Sequence, residues 1–196
     1  MRPPTPIATR LRANADALDE LTVAVPGAYR EQGPPSAGEL AAVAARIGAR
    51  HQLLLRTASV LAQTPLADTA QRAGARALAD AGMRVGEALA TISRASAMAT
   101  RLHEVEGLDG RSPQDVREQA GRELNLSLSR TRLALTDAGE GLRREAREER
   151  DGASRAPGRH RAAVVRSVTA RPALAVAPPA AALPQPALPV AASPRR

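Results

Sequence analysis

Residues 36–61 read SAGELAAVAARIGARHQLLLRTASVL, and this stretch decides the fold class. It opens with Ser36 and Glu39, the spacing of a capping box, in which each side chain bonds the other residue's backbone amide at a helix start. Behind the box, positions of one stripe recur four and three residues apart, as they do along one face of a coiled-coil helix. The stripe consists of Leu40, Ala44, Ile47, His51, Leu54, Ala58 and Leu61. The stretch therefore predicts a long amphipathic helix.

The same periodicity recurs on both sides of this helix. Residues 7–25 carry an apolar stripe that ends at Pro26–Gly27, because proline cannot continue a helix and glycine suits its cap. Thr64 and Pro65 favour the start of a third helical region over 66–106. At 1.5 Å per residue that region would extend for roughly 60 Å, more than its neighbours. We therefore expect a kink or break in it, with glycine as the candidate position: Gly74, Gly82 or Gly86.

A fourth helical region begins at Ser112 and Pro113, a cap followed by a first-turn proline, and it extends to about residue 150. After Asp151 the helical period stops, and Pro and Ala dominate the end of the chain. We predict an all-α, up-and-down bundle of four to five helices over residues 5–150. Residues 151–196 are predicted to be a disordered Arg/Ala/Pro-rich tail with polyproline-II character near its end.

Composition supports the helical prediction. The chain of 196 residues has no Phe, no Trp and one Tyr, so its core must be built from aliphatic side chains and Ala. Sheets favour aromatic and β-branched residues, which are scarce here, whereas small side chains let helices approach closely. The formal net charge is +8, and residues 151–196 contribute seven Arg against one Asp, a net of +6. The basic character therefore belongs mainly to the tail.

The sequence lacks the residues that several classes of chemistry require. All 28 basic residues are Arg, so neither a P-loop lysine nor a Schiff-base lysine is present. The chain contains no Cys, which excludes disulfides, thiolate metal sites and cysteine nucleophiles. No dinucleotide-binding glycine motif and no nucleophile elbow occurs in the sequence. We therefore expect a protein that is not an enzyme and has no catalytic residue, metal or cofactor.

The three histidines are the remaining candidates for ligation or acid–base work. His51 lies on the core stripe of the second helix, and a pair with His103 could ligate a cofactor inside a bundle. The residues three before His51, His103 and His160 are Gly, Thr and Pro, so the Glu-x-x-His motif of di-iron bundles is absent. Acidic residues near His103 suggest acid–base chemistry, but they are equally typical of a helix end. A neutral core-edge histidine is the interpretation we favour for His51.

Residues 119–135, QAGRELNLSLSRTRLAL, support two interpretations. Leu124, Leu126 and Leu128 alternate, and a turn at Asn125–Ser127 would give a helix-turn-helix whose Arg130 and Arg132 face a DNA major groove. In a continuous helix, one heptad stripe faces the core, and Leu126 and Leu133 lie on the opposite face, where they could pack against a second subunit. That core stripe consists of Leu124, Leu128, Thr131, Leu135, Ala138 and Leu142. The continuous helix is the favoured interpretation.

Two functions remain open. The first is an interaction or scaffolding protein whose bundle contacts a protein partner or a second copy. The second is an accessory nucleic-acid-binding protein that uses Arg130, Arg132 and the tail, where phosphate attraction without aromatic stacking would be non-specific. The tail arginines in question are Arg155, Arg159, Arg161, Arg166 and Arg171. We expect a cytoplasmic protein, since its N-terminus lacks the apolar run of a signal peptide. We also expect no membrane association and no small-molecule substrate.

Overall fold

The computed structural model describes residues 6–29, 33–64 and 68–155, and their regular structure is entirely α-helical. This confirms the all-α prediction, with four helices in the described ranges rather than four to five. The helices are α1 (Pro6–Ala24), α2 (Ala37–Ala62), α3 (Thr69–Glu104) and α4 (Arg111–Arg155). Predicted tail residues from 156 onward lie outside the described residues, and α4 extends five residues past its predicted end at 150.

Two capping boxes fix the starts of α2 and α3. The Glu39 amide donates to Ser36 Oγ over 3.1 Å, and the Ser36 amide donates to Glu39 Oε2 over 2.9 Å, as predicted. Asp68 and Gln71 make the equivalent pair of bonds at α3. The predicted start at Thr64 is therefore wrong. The Thr64 hydroxyl instead donates back to the Val60 carbonyl at the end of α2.

Replacing Ser36 by Ala is expected to lower the free energy of unfolding by about 1 kcal/mol, because the Glu39 amide loses its acceptor. Urea denaturation followed by circular dichroism measures this change. Ser129→Ala, an exposed change in the middle of α4, is the matched control and should stay near the parent value. An equal loss in both variants would contradict the capping role.

The same box gives α2 a dependence on pH. Hydrogen bonds from the Ser36 backbone, and then from its side chain, hold the pKa of Glu39 below its ordinary value. A carboxyl whose pKa is lower in the folded state stabilises the fold above its unfolded pKa, and that contribution is lost as pH falls through the folded pKa. Glu39→Ala should therefore be destabilised relative to the parent at pH 7, and the difference should shrink under strongly acidic conditions.

The predicted stripes converge on one hydrophobic core. Each stripe contributes buried Leu, Ile, Val or Ala side chains, and they pack into a single cluster that all four helices share. The largest fully buried aliphatic side chains are Leu11, Leu18, Leu40, Ile47, Leu54, Leu78, Ile92, Leu124, Leu128, Leu135 and Leu142. At the α3–α4 contact, the hydroxyls of Thr91 and buried Thr131 also bond to each other over 2.9 Å. This hydroxyl pair places a polar contact within the largely apolar packing of α3 against α4.

Helix α3 is unbroken over its 36 residues, so a break, one of the two expected alternatives, is wrong, whereas a kink stays a prediction. Its glycines instead allow close approach of other helices. A Cβ at Gly82 would lie 2.7 Å from Leu55 Cδ2 on α2, and one at Gly74 would lie 2.8 Å from Ile7 Cγ2 on α1. Both distances are shorter than a normal carbon–carbon contact. The glycines that suggested a break therefore serve helix packing.

Helix α4 is likewise continuous from Arg111 to Arg155, and it passes through 119–135 without a turn. The helix-turn-helix interpretation is therefore wrong. The reason lies in the core stripe, because Leu124, Leu128 and Thr131 are all buried together on one face of an uninterrupted helix. The alternating Leu126 is half exposed on another face, which explains the spacing without any turn.

The four helices do not contact one another equally. Helix α3 packs extensively against both α2 and α4, and α1 packs mainly against α4. By contrast, α1 and α2 contact each other only sparsely. The sparse contact leaves a groove between α1 and α2.

Candidate functional site

The groove between α1 and α2 consists of two adjoining depressions of about 400 Å³ and 270 Å³. Arg50 and Leu53 line both depressions, so the two lie side by side, and together they form the α1–α2 groove. The α1 wall is formed by Arg10, Ala13, Asn14, Ala17, Glu20 and Leu21. The α2 wall is formed by Arg46, Ala49, Arg50, Leu53, Arg56, Thr57 and Val60.

A second stripe on α2 lines this groove and contributes two large apolar side chains, Leu53 and Val60. Its members each precede a residue of the core stripe by one position, so they lie along the neighbouring face of the same helix. They are Arg46, Arg50, Leu53, Thr57 and Val60, spaced four and three apart. Leu53 is 48% exposed and Val60 is 65% exposed. Two large apolar side chains on one stripe therefore face solvent.

The groove is also positively charged. Four arginines line it (Arg10, Arg46, Arg50 and Arg56) against one carboxylate, Glu20, which gives a formal charge of +3. None of these arginines lies in an ion pair with another residue of the described ranges. Arg50 donates across the groove to Asn14 Oδ1 over 3.4 Å. The groove thus combines exposed apolar side chains with unneutralised cations.

Contacts with α4 hold α1 in its position. The guanidinium of Arg143 pairs with the Asp19 carboxylate, and this hydrogen bond is the main cause of the raised pKa of Arg143. Arg143 Nη2 also lies 3.5 Å from Asp16 Oδ1. Just after the C-terminal end of α1, the Val25 carbonyl accepts a hydrogen bond of 2.7 Å from the guanidinium of Arg132. These bonds join the C-terminal half of α1 to α4, the helix against which α1 mainly packs.

The residue stretch after α1 is fastened to α4 as well. The Tyr29 amide donates to Asn125 Oδ1 over 2.5 Å, and Asn125 Nδ2 donates to the Tyr29 carbonyl over 3.2 Å. The Tyr29 ring lies over Gly121, where a Cβ would be 3.4 Å from Cε1. Sequence reasoning missed this contact, because Tyr29 and Asn125 are 96 residues apart and no local pattern joins them.

Of the predicted nucleic-acid contacts, the structure describes the side chains of Arg130 and Arg132. Arg132 is half-buried and bonded to Val25, so it serves the packing of α1, whereas Arg130 is exposed on α4. The other predicted contacts have side chains outside the described part of the chain: Arg155, Arg159, Arg161, Arg166 and Arg171. The described residues therefore give the nucleic-acid hypothesis one exposed arginine of the predicted set.

The histidines lie apart. His51 is half-buried against Gly86, where a Cβ would be 3.4 Å from Nε2, and His103 is exposed near the end of α3 with Nδ1 3.2 Å from Glu106 Oε2. Gly86 and His103 are separated along α3 by roughly 25 Å at 1.5 Å per residue. His160 is outside the described ranges. Within those ranges, no three His, Asp or Glu side chains are grouped to hold a metal ion.

A further depression lies between α3 and α4, and its charge differs from that of the α1–α2 groove. Its charged lining is balanced, with Arg76, Arg84 and Arg144 against Asp80, Asp137 and Glu145, and Arg84 lies 3.4 Å from Asp137. Burial, and then the nearby Glu148 and Glu149, raise the pKa of Glu145. Because this depression has no net charge and no exposed Leu or Val in its lining, the α1–α2 groove is the stronger candidate site.

None of the four helices has a stretch long and apolar enough to cross a membrane, as far as the described residues extend. Comparison of the chain with protein-family models, with curated proteins and with solved structures finds no match. The groove itself is therefore the basis for a functional proposal.

Proposed function

We propose that this chain is a non-enzymatic interaction protein whose α1–α2 groove receives a helix of a partner protein. The observation that carries the proposal is the exposure of Leu53 and Val60 on one stripe of α2, beside a helix that contacts α2 only sparsely. An amphipathic helix docks by laying its apolar face into such a groove, with anchors three, four or seven residues apart. Leu53 and Val60 have that spacing. A cytoplasmic setting is part of the proposal.

We also propose the up-and-down arrangement of the bundle, because paired contacts support it. Along α2 and α3, Gly48 lies near Leu89, whereas Leu55 lies near Gly82, so rising numbers on one helix meet falling numbers on the other. Arg84–Asp137 and Thr91–Thr131 show the same relation between α3 and α4.

Site-specific photo-crosslinking tests the docking proposal. A photoreactive residue in place of Leu53 is expected to form a discrete adduct in cells of the source organism, and mass spectrometry should identify a helical segment of one partner protein. The matched control is Met83, which is 62% exposed on α3 and lies outside the groove. Equal adducts from positions 53 and 83, or none from position 53, would contradict docking at the groove.

A further inference from the structure

We infer that the partner helix is acidic, with a stripe of apolar side chains bordered by carboxylates. This inference rests on the proposed docking function and specifies the chemistry of its partner. Its apolar stripe would cover Leu53 and Val60, and its carboxylates would face the arginines of the groove. The groove arginines are Arg10, Arg46, Arg50 and Arg56.

The apolar side chains set the shape of the partner. Leu53 and Val60 lie two helical turns apart, roughly 10 Å along α2. Ala13, Ala17 and Ala49 line the same groove, and these small side chains leave room for a helix backbone to approach. A partner helix with Leu or Ile seven residues apart would match both exposed side chains.

The arginines set its charge. Arg10 on the α1 wall and Arg56 on the α2 wall line the same depression as Leu53 and Val60. Arg46 and Arg50 precede Leu53 on the stripe itself, so cations lie beside the two apolar side chains and at one end of them. Arg guanidinium groups pair with carboxylates through two parallel hydrogen bonds. Complementary charge across an interface selects partners and raises the association rate. A basic helix would be repelled by the same four cations.

The chain's own C-terminal segment does not meet this requirement. Residues 156–196 contain six arginines and no Asp or Glu, so their charge has the same sign as the groove. Nucleic acid has a negative charge that suits the arginines of the groove, but it does not match the groove's apolar side chains. The groove offers no aromatic side chain on which bases could stack, and phosphates gain nothing from Leu53 and Val60. An acidic amphipathic helix satisfies the cations and the apolar stripe together.

Two designed helical peptides of about 18 residues test the inference on the full-length chain. Both carry Leu at one heptad stripe; the first has Glu at the bordering positions and the second has Lys. Fluorescence anisotropy is expected to show at least tenfold tighter binding of the Glu peptide, with an affinity that falls as salt rises. The double variant Arg50→Glu/Arg56→Glu should lose that preference, while Arg130→Glu, on exposed α4 surface, should retain it.

The outcomes separate the two proposals. Equal binding of the Glu and Lys peptides, together with a crosslink from position 53 to a partner helix, would overturn the acidic class and leave docking intact. Absence of binding by either peptide and absence of that crosslink would overturn both. Binding of duplex DNA that is lost in Arg50→Glu/Arg56→Glu, without binding of the Glu peptide, would assign the groove to nucleic acid. Circular dichroism melts of each variant exclude unfolding as the cause.

Discussion

Replacing Leu135 by Ala is expected to lower the free energy of unfolding by about 3 kcal/mol. The Leu135 side chain is 0% exposed and lies on the core stripe of α4 between Leu128 and Leu142. Truncation removes apolar area from the core and leaves a cavity, and such changes cost about 2–5 kcal/mol in well-packed interiors. Because small domains are stable by only about 5–15 kcal/mol, this single change would remove a large fraction of the total.

Leu133→Ala is the matched control, two residues away on the same helix. Leu133 is 61% exposed, so its truncation should change the free energy of unfolding by less than about 0.5 kcal/mol. Urea denaturation followed at the helical circular dichroism band measures both variants. Similar losses for Leu133→Ala and Leu135→Ala would contradict the assigned faces of α4 and, with them, the continuous helix over 119–135.

Asn125→Ala is expected to destabilise the chain by about 2 kcal/mol. The substitution removes both hydrogen bonds to the Tyr29 backbone, and it leaves an amide and a carbonyl without their partner. Asn125→Asp keeps an acceptor for the Tyr29 amide and loses the donor to its carbonyl, so it should fall between Ala and the parent. The loss reflects release of the stretch that follows α1 from α4.

Thermal and urea unfolding of these variants measure the effect, with Gln119→Ala as the control. Gln119 is exposed on α4 and bonds only within its own helix, to Glu123, so its replacement should have little effect. An Asn125→Ala variant as stable as Gln119→Ala would show that the bond to Tyr29 contributes nothing to folding. In that case the contacts at Arg132 and Arg143 would have to hold α1 on their own.

Much of the fold could be predicted because it is encoded locally. The Ser36–Glu39 box and the stripe beginning at Leu40 involve neighbours along one helix, and their spacing is visible in the sequence. The continuous stripe from Leu124 to Leu142 correctly favoured an unbroken helix. The local pattern gave a wrong prediction in α3, because glycine is typical both of helix breaks and of close helix packing. The glycines of α3 are typical of a break, but here they admit Ile7 and Leu55 to close packing.

The candidate site could not be predicted, because it depends on which helices become neighbours. The second stripe on α2 is visible in the sequence as Leu53 and Val60 seven residues apart. Periodicity alone does not tell whether another helix covers such a stripe. The answer depends on long-range contacts such as Arg132 to Val25, which place α1 against α4 and away from α2. Those partners share no local sequence pattern.

Methyl NMR of the 196-residue chain, titrated with the Glu peptide, shows whether the α1–α2 groove receives an acidic amphipathic helix. The methyl resonances of Leu53 and Val60 are expected to shift together until they saturate, while those of exposed Leu126 and Leu133 on α4 stay unchanged. Shifts confined to Leu126 and Leu133, or no shift at Leu53 and Val60 at saturating peptide, would show that the helix does not dock at the groove.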